Sequence, residues 1–246
     1  MRILSGKYTV HSPFVFNLIT KVIEERNPFY RFEEIELLRK RLLQDNRPVT
    51  YTDLRGRKGK QTETTIAEIV RREAVTAKKG ALLFRLANYF KPKTMLLAGS
   101  SVGISTLYLS SYAAGIKCAS IEPLHEFAAI SQWVYDEAAR TPIELHTGEA
   151  KGQLTECLNN MEALDLVFFN SRDERIDVLW LFNACLTCST DHTLFIIDGI
   201  NENKRTRTIW NEITGRPEVS VSINLRTLGL VFLNRKLHKH NYKIHF

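Results

Sequence analysis

Cysteine is scarce in this chain, and so are long apolar runs. Four thiols among 246 residues, Cys118, Cys157, Cys185 and Cys188, are too few and too unevenly spaced for a disulfide-stabilised fold. No stretch is long and apolar enough to span a bilayer. The opening MRILSGKYTVHSPFVFNLI is broken by polar residues and Pro13 and is followed by no small-residue cleavage site, so it does not read as a secretory leader. Internal repeats and low-complexity segments are also missing, which excludes solenoids and disordered arrays. The expectation is a reduced, cytoplasmic, globular protein.

What is present supports a sizeable core. Hydrophobic residues make up 44% of the chain and charged residues 25%, which argues against global disorder. Lys and Arg exceed Asp and Glu by 34 to 27, a formal charge of +7. That excess suits a phosphate, a nucleic acid or an anionic surface, yet it is scattered and reads first as a solvated exterior. Its local concentrations are Arg55–Lys60, Lys204–Arg207 and Arg235–Lys236. The spacing Cys185-Leu186-Thr187-Cys188 is half of a metal or redox motif without a second half, so packed thiols are expected there. His238, His240 and His245 fall on a terminal segment whose alternation predicts a strand with an exposed face.

The chain divides by pattern. Residues 1–77 read as a helical extension, and residues 78–246 as an α/β domain. In the extension, Ser12-Pro13 opens a helix carrying Val15, Leu18, Ile19, Val22 and Ile23. A second helix is predicted over Phe32–Gln44 and a third over Glu63–Arg72, with a polar, basic, mobile loop from Thr52 to Gln61 between them. Another helix is predicted from Lys78 to Tyr89. Beyond it, short apolar strands alternate with helices: Thr94–Ala98, Lys117–Ile121, Ile143–Thr147, Leu164–Phe169 and Thr193–Ile197. Val219–Ile223 and Leu228–Leu233 are too close for a crossover helix, which predicts an antiparallel pair completing the sheet.

The chemistry concentrates at strand ends. Ala98-Gly99-Ser100-Ser101-Val102-Gly103-Ile104 follows the first core strand and leads into an apolar helix, so its backbone donors lie at the sheet's carboxyl edge. Gly99 and Gly103 admit close approach of a cofactor, and Ser100 and Ser101 supply polar contacts. The second strand ends at Glu122, where a carboxylate suits the paired hydroxyls of a ribose. Trp180, Trp210, Arg172, Asp173 and Arg175 are candidate acceptor contacts, the tryptophans reading mainly as packing. Tyr8, His11 and the Arg55 loop cover the pocket if the extension folds back over the sheet edge.

In order, the segments MLLAGSSVGISTLYL, CASIEP, LDLVFFN, LFIIDGI and LGLVF resemble the class I S-adenosylmethionine-dependent methyltransferases, especially the small catechol and caffeoyl-CoA O-methyltransferase group and related bacterial proteins. The resemblance implies a Rossmann-like sheet, parallel with an antiparallel C-terminal strand, and S-adenosyl-L-methionine as cofactor. It implies that Gly99, Ser100, Ser101 and Gly103 face the methionine portion, that Glu122 binds the ribose, and that Gly148 and Glu149 lie near the adenine. It also carries departures. The strand before the glycine turn, Met95-Leu96-Leu97-Ala98, lacks the usual acid. Asn170 and Asp198-Gly199 stand where metal-dependent relatives place a set of carboxylates, so no metal is expected and Asn170 and Asp198 are the catalytic candidates.

The resulting expectation is a methyltransferase acting on a small-molecule acceptor, at oxygen by resemblance. An impaired cofactor-binding or regulatory protein on the same scaffold is the first alternative. A nucleic-acid methyltransferase is the second, weakened because no nucleic-acid recognition array is present, and a dinucleotide oxidoreductase ranks below both. No membrane partner is implied, and a homo-oligomer stays open.

Overall fold

The computed structural model describes residues 3–5, 8–53, 59–99, 102–139 and 143–246, with side chains from residue 11 onward. Ser100, Ser101 and most of the Arg55 loop fall outside these residues, as does the side chain of Tyr8.

Two short strands, β1 (Ile3–Ser5) and β2 (Tyr8–Val10), pair antiparallel before the first helix. Helix α1 (Pro13–Leu18) starts where Ser12 Oγ accepts from Val15 N and Pro13 supplies a preset φ. It runs into a π-helical turn over Ile19–Ile23 and is followed by α2 (Tyr30–Leu42). The loop expected from Thr52 to Gln61 is bounded by strands. Strands β3 (Pro48–Asp53) and β4 (Lys60–Thr65) pair antiparallel and take its first two and last two residues, residues 54–58 lie outside the described residues, and α3 (Ile66–Glu73) begins three residues after the expected helix start at Glu63. Val49, Thr50, Tyr51, Thr52, Thr62, Thr64 and Thr65 are β-branched or aromatic, but their polarity hides them from a reading based on hydrophobic alternation.

Helix α4 (Ala77–Phe90) is capped by Thr76, whose Oγ1 accepts from Lys79 N, and ends at Lys91 in the left-handed region. Then come β5 (Thr94–Ala98), α5 (Ile104–Ser110), β6 (Lys117–Glu122), α6 (His125–Ala138), β7 (Ile143–Thr147), α7 (Ala150–Asn159), β8 (Leu164–Asn170), α8 (Val178–Leu186), β9 (Ser189–Asp198) and α9 (Lys204–Gly215). The tail is β10 (Val221–Asn224), β11 (Leu228–Phe232) and β12 (His240–Lys243). The main sheet has the order β12-β10-β11-β9-β8-β5-β6-β7. Strands β5 to β9 pair parallel, and β11 runs antiparallel to both β9 and β10. Strand β12 adds parallel to β10, in the region where a terminal strand was expected.

Alternation along the central strands sends side chains to two separate layers. Met95, Leu97, Leu166, Phe168, Leu194 and Ile196 join the core beneath α4, α5 and α6. Leu96, Ala98, Val167, Phe169, Phe195 and Ile197 join the core beneath α7, α8 and α9. The extension packs on the first of these layers, burying Val15, Leu18, Ile35, Leu38, Leu42, Ile66 and Ile69. At about 1.5–3 kcal/mol for each fully buried aliphatic side chain, that attachment is a substantial part of the fold.

One close approach sets the position of α4. A Cβ on Gly80 would lie 2.2 Å from Tyr108 Cε2, so glycine lets α4 rest directly on the tyrosine ring of α5. Tyr108 Oη in turn donates to Glu36 Oε1 of α2 at 2.8 Å. Three helices are thereby keyed together, and Lys79 is held next to the contact.

Candidate functional site

Strand order reverses between β5 and β8: the chain winds outward through β6 and β7, then returns to the other side of β5. The crevice at the carboxyl edge of such a reversal is where open α/β sheets bind ligands. The registers place the predicted residues along that edge. Ala98 pairs with Ile121 and Phe169, Glu122 pairs with Thr147, and Asn170 pairs with Asp198.

The glycine turn has the required backbone. Gly99 has φ +73° and Gly103, which precedes α5, has φ +76°. A Cβ on Gly99 would stand 3.3 Å from Asn170 Cβ and 3.2 Å from Ile176 Cγ1, while one on Gly103 would be 2.8 Å from Tyr135 Cε1. Both positions combine a left-handed conformation with a tight approach, which only glycine satisfies without strain. Glu122 lies at the neighbouring strand end with 0% exposure, and its Oε1 accepts from Leu124 N at 3.3 Å. Gly148 has φ +125° and donates to the Glu122 carbonyl at 3.4 Å. Glu149 is exposed and caps α7, its Oε2 accepting from Gly152 N at 2.8 Å. Glycine backbone at one strand end and a carboxylate at the next fit, in donor and acceptor character, the nucleoside and amino-acid portions of an adenosyl cofactor.

The Asn170–Asp198 side of the strand-end row is built from charge pairs. Asp198 is buried, its side chain 1% exposed. Lys79 Nζ donates to its Oδ1 at 2.5 Å, and Arg172 Nη2 lies 3.2 Å from its Oδ2 as an ion pair without a hydrogen bond. The Arg172 backbone N–H and Nε donate to Asn170 Oδ1 at 3.2 and 3.3 Å, and its Nη2 donates to the Glu73 carbonyl at 3.2 Å. Ser171 Oγ donates to the Asp198 carbonyl at 2.6 Å. Arg175 forms a bidentate pair with Asp173, 2.7 and 3.0 Å, and stands over the Phe127 ring. Asp165, at the opposite end of β8, accepts from Lys93 N and Thr94 N and is structural.

Beside this cluster is a cavity of about 180 Å³ whose walls include Tyr51, Arg72, Phe127, Arg172, Asp173 and Arg175. Part of its wall therefore comes from β3 and α3, while the side chain of Tyr8 and most of the Arg55 loop lie outside the described residues. Arg72 Nη2 donates to Tyr51 Oη at 2.5 Å, and the Tyr51 ring packs 5.1 Å from that of Phe127. His11 is exposed and is not part of this wall. Trp210 is buried against Gly229, as a packing role requires, whereas Trp180 is exposed at the surface near Lys151, against the packing expected of it.

Sequence pattern alone does not single out Lys79, Arg72 or Tyr51. Lys78 and Lys79 occupy the first turn of a helix, where cations oppose the helix dipole. That local cost was the available signal for a tertiary partner.

The donor set does not fit a divalent cation. One amide and one carboxylate face each other, and each carboxylate oxygen already has a cation beside it. At an effective dielectric near 20, unit charges about 4 Å apart repel by roughly 4 kcal/mol, and a divalent ion doubles this. No group of three or more His, Cys, Asp or Glu suited to a metal occurs among the described residues.

Comparison with known proteins points the same way as the topology. No protein-family model and no curated protein sequence matches the chain. Solved structures do. An O-methyltransferase from Bacillus cereus in complex with SAH is 18% identical, with a TM-score of 0.58 over 89% of this chain and 97% of its own. The chain has the Rossmann-like methyltransferase fold. The O-methyltransferase TomG from Streptomyces achromogenes, in complex with SAM, is 17% identical with a TM-score of 0.59, covering 89% of this chain and 94% of its own. The SAH-bound methyltransferase PaMTH1 from Podospora anserina is 13% identical with a TM-score of 0.58, covering 94% and 99%. Within this methyltransferase fold, Gly99, Glu122, Asn170 and Asp198 share one strand-end row, and the 1–77 extension supplies part of its cover.

Proposed function

We propose that the chain is an S-adenosylmethionine-dependent methyltransferase acting on a small polar acceptor, at an oxygen atom. The observation that carries the reading is the buried carboxylate of Glu122 beside the left-handed Gly99–Gly103 turn at the strand-order reversal. Structures of the same fold holding SAM or SAH support it.

When bound, the cofactor supplies an electrophilic methyl group. Gly99 and Gly103 let the backbone approach its amino-acid portion, and Glu122 accepts hydrogen bonds from ribose hydroxyls. Gly148 and Glu149 border the adenine side. Tyr51 and Phe127 wall the cavity against water, and Arg72, Arg172 and Arg175 orient the acceptor. Asp198 and Asn170 act by fixing Arg172 at the cavity wall. The cavity's mixture of acidic and basic side chains supports a small polar molecule over a nucleic-acid chain. Residues 1–77 form the cover, and 78–246 the catalytic domain. No helix among the described residues is long and apolar enough to cross a membrane, and the four cysteines are free, which supports a reducing, cytoplasmic setting.

The pairing of both Asp198 oxygens favours a second reading, a protein that binds the cofactor and transfers nothing. Transfer of a labelled methyl group to phenols, hydroxy acids or other small hydroxylated acceptors separates the two. Transfer abolished by Glu122→Gln is the expected result, and saturable cofactor binding with no transfer to any acceptor class supports the second reading.

A further inference from the structure

We propose that Lys79 and Arg172 take the place of a divalent cation at Asp198, so that the site binds no metal. This rests on the methyltransferase reading and concerns the strand-end row of that same site.

Asp198 lies at a strand end beside the cavity, paired in register with Asn170. A carboxylate buried to this degree needs compensating positive charge. Two side chains supply it from different parts of the chain: the Lys79 ammonium from the first turn of α4, and the Arg172 guanidinium from the segment after β8. Neither can leave easily. The helix that carries Lys79 is set in place by the Gly80–Tyr108 contact, and Arg172 is tied to Asn170 Oδ1 and to the Glu73 carbonyl. Gly199, which follows Asp198, has φ +82°, and a Cβ there would lie 2.4 Å from Arg172 Cγ. Glycine at 199 thus makes room for the arginine stem in the place where a ligating side chain would otherwise project.

Lys79 is a positioning residue in this scheme, since it acts through Asp198.

The test is a titration with Mn2+, followed by electron paramagnetic resonance of the free ion, on the full chain with and without S-adenosylhomocysteine. Wild type and Lys79→Arg are expected to take up no Mn2+. The Lys79→Met/Asn170→Asp variant, which restores a carboxylate pair and removes one cation, is expected to take up one equivalent. Uptake of one equivalent by wild type that is lost in Asp198→Asn overturns the proposal, as does a folded double variant that takes up none. A measurement on wild type alone covers the case of a variant that does not fold: its thermal midpoint is expected to be the same in EDTA and in Mg2+, and a rise of several degrees with Mg2+ overturns the proposal. Absence of S-adenosylhomocysteine binding would remove the methyltransferase reading while leaving the cofactor-free metal result interpretable.

Discussion

The two halves of the strand-end crevice are made in different ways. On the Gly99–Glu122 side, short segments of backbone do the work: two left-handed glycines, a strand end and one carboxylate, all within 25 residues of sequence. On the Asn170–Asp198 side, the work is done by contacts between distant segments: Lys79 with Asp198 across 119 positions, and Arg172 with Glu73 across 99. On the proposed function, a cofactor common to many proteins is met by a local motif and the acceptor by side chains that the tertiary fold assembles, in line with variation in function on a shared fold.

The largest effect separating the two sides is expected from the buried charges. Asp198→Asn should cost about 3–5 kcal/mol of stability, because it leaves Lys79 and Arg172 without their carboxylate, and Lys79→Met less, because Arg172 still pairs with Asp198. Together they should cost clearly less than the sum of the two, as measured by urea denaturation. Strict additivity would show that the pair is not coupled and that the acceptor side is not held by it.

On the other side, Gly103→Ala forces a left-handed non-glycine residue against Tyr135. A cost of about 1–3 kcal/mol is expected, with weakened S-adenosylhomocysteine binding. A variant as stable and as tightly bound as wild type would mean that the turn has freedom its geometry does not suggest. Gly80→Ala should destabilise by a similar ~1–3 kcal/mol despite alanine's better helix propensity, since the new methyl meets the Tyr108 ring. A gain in melting temperature would contradict the keyed contact between α4 and α5.

The smallest effect concerns the layers beneath the crevice. Burial pushes the Cys118 thiol up to about 12 and the Cys157 thiol up to about 11, with nearby glutamates adding to both shifts. A thiol raised in the folded state keeps its proton there while the unfolded chain loses it. Stability from this source is therefore complete below the ordinary thiol value of 9.0 and is lost as pH climbs through about 11 to about 12. In the native protein at pH 8, Ellman's reagent should leave Cys118, Cys157 and Cys185 unmodified and reach Cys188 first. Rapid modification of Cys118 would show that its layer opens readily.

This difference in construction also explains what could be read in advance. The five core strands, the glycine turn and Glu122 were legible because hydrophobic period, glycine position and strand-end chemistry are all local. The strands of the β3–β4 hairpin, which occupy the two ends of the expected loop and the expected helix start at Glu63, escape a reading by hydrophobic alternation because they are rich in threonine and half exposed. Asn170 and Asp198 were legible as a departure from a metal-binding pattern, but their partners were not. Nothing in the spacing of Lys79 announces Asp198, and only its unfavourable place in a first helical turn hinted at a role. Tyr51 and Arg72 meet each other, and the cavity, only because the extension packs on the layer beneath α4, α5 and α6.

Calorimetric titration of S-adenosylhomocysteine into wild type, Glu122→Gln and Lys79→Met, at a temperature where all three are folded, tests the account most directly. Saturable one-to-one binding by wild type is predicted, weakened roughly tenfold or more by Glu122→Gln through loss of a charged hydrogen-bond acceptor. Lys79→Met is predicted to stay within about twofold of wild type, because it acts on the acceptor side. No binding by folded wild type, or equal binding by wild type and Glu122→Gln, would contradict the claim that the Gly99–Glu122 edge holds the cofactor.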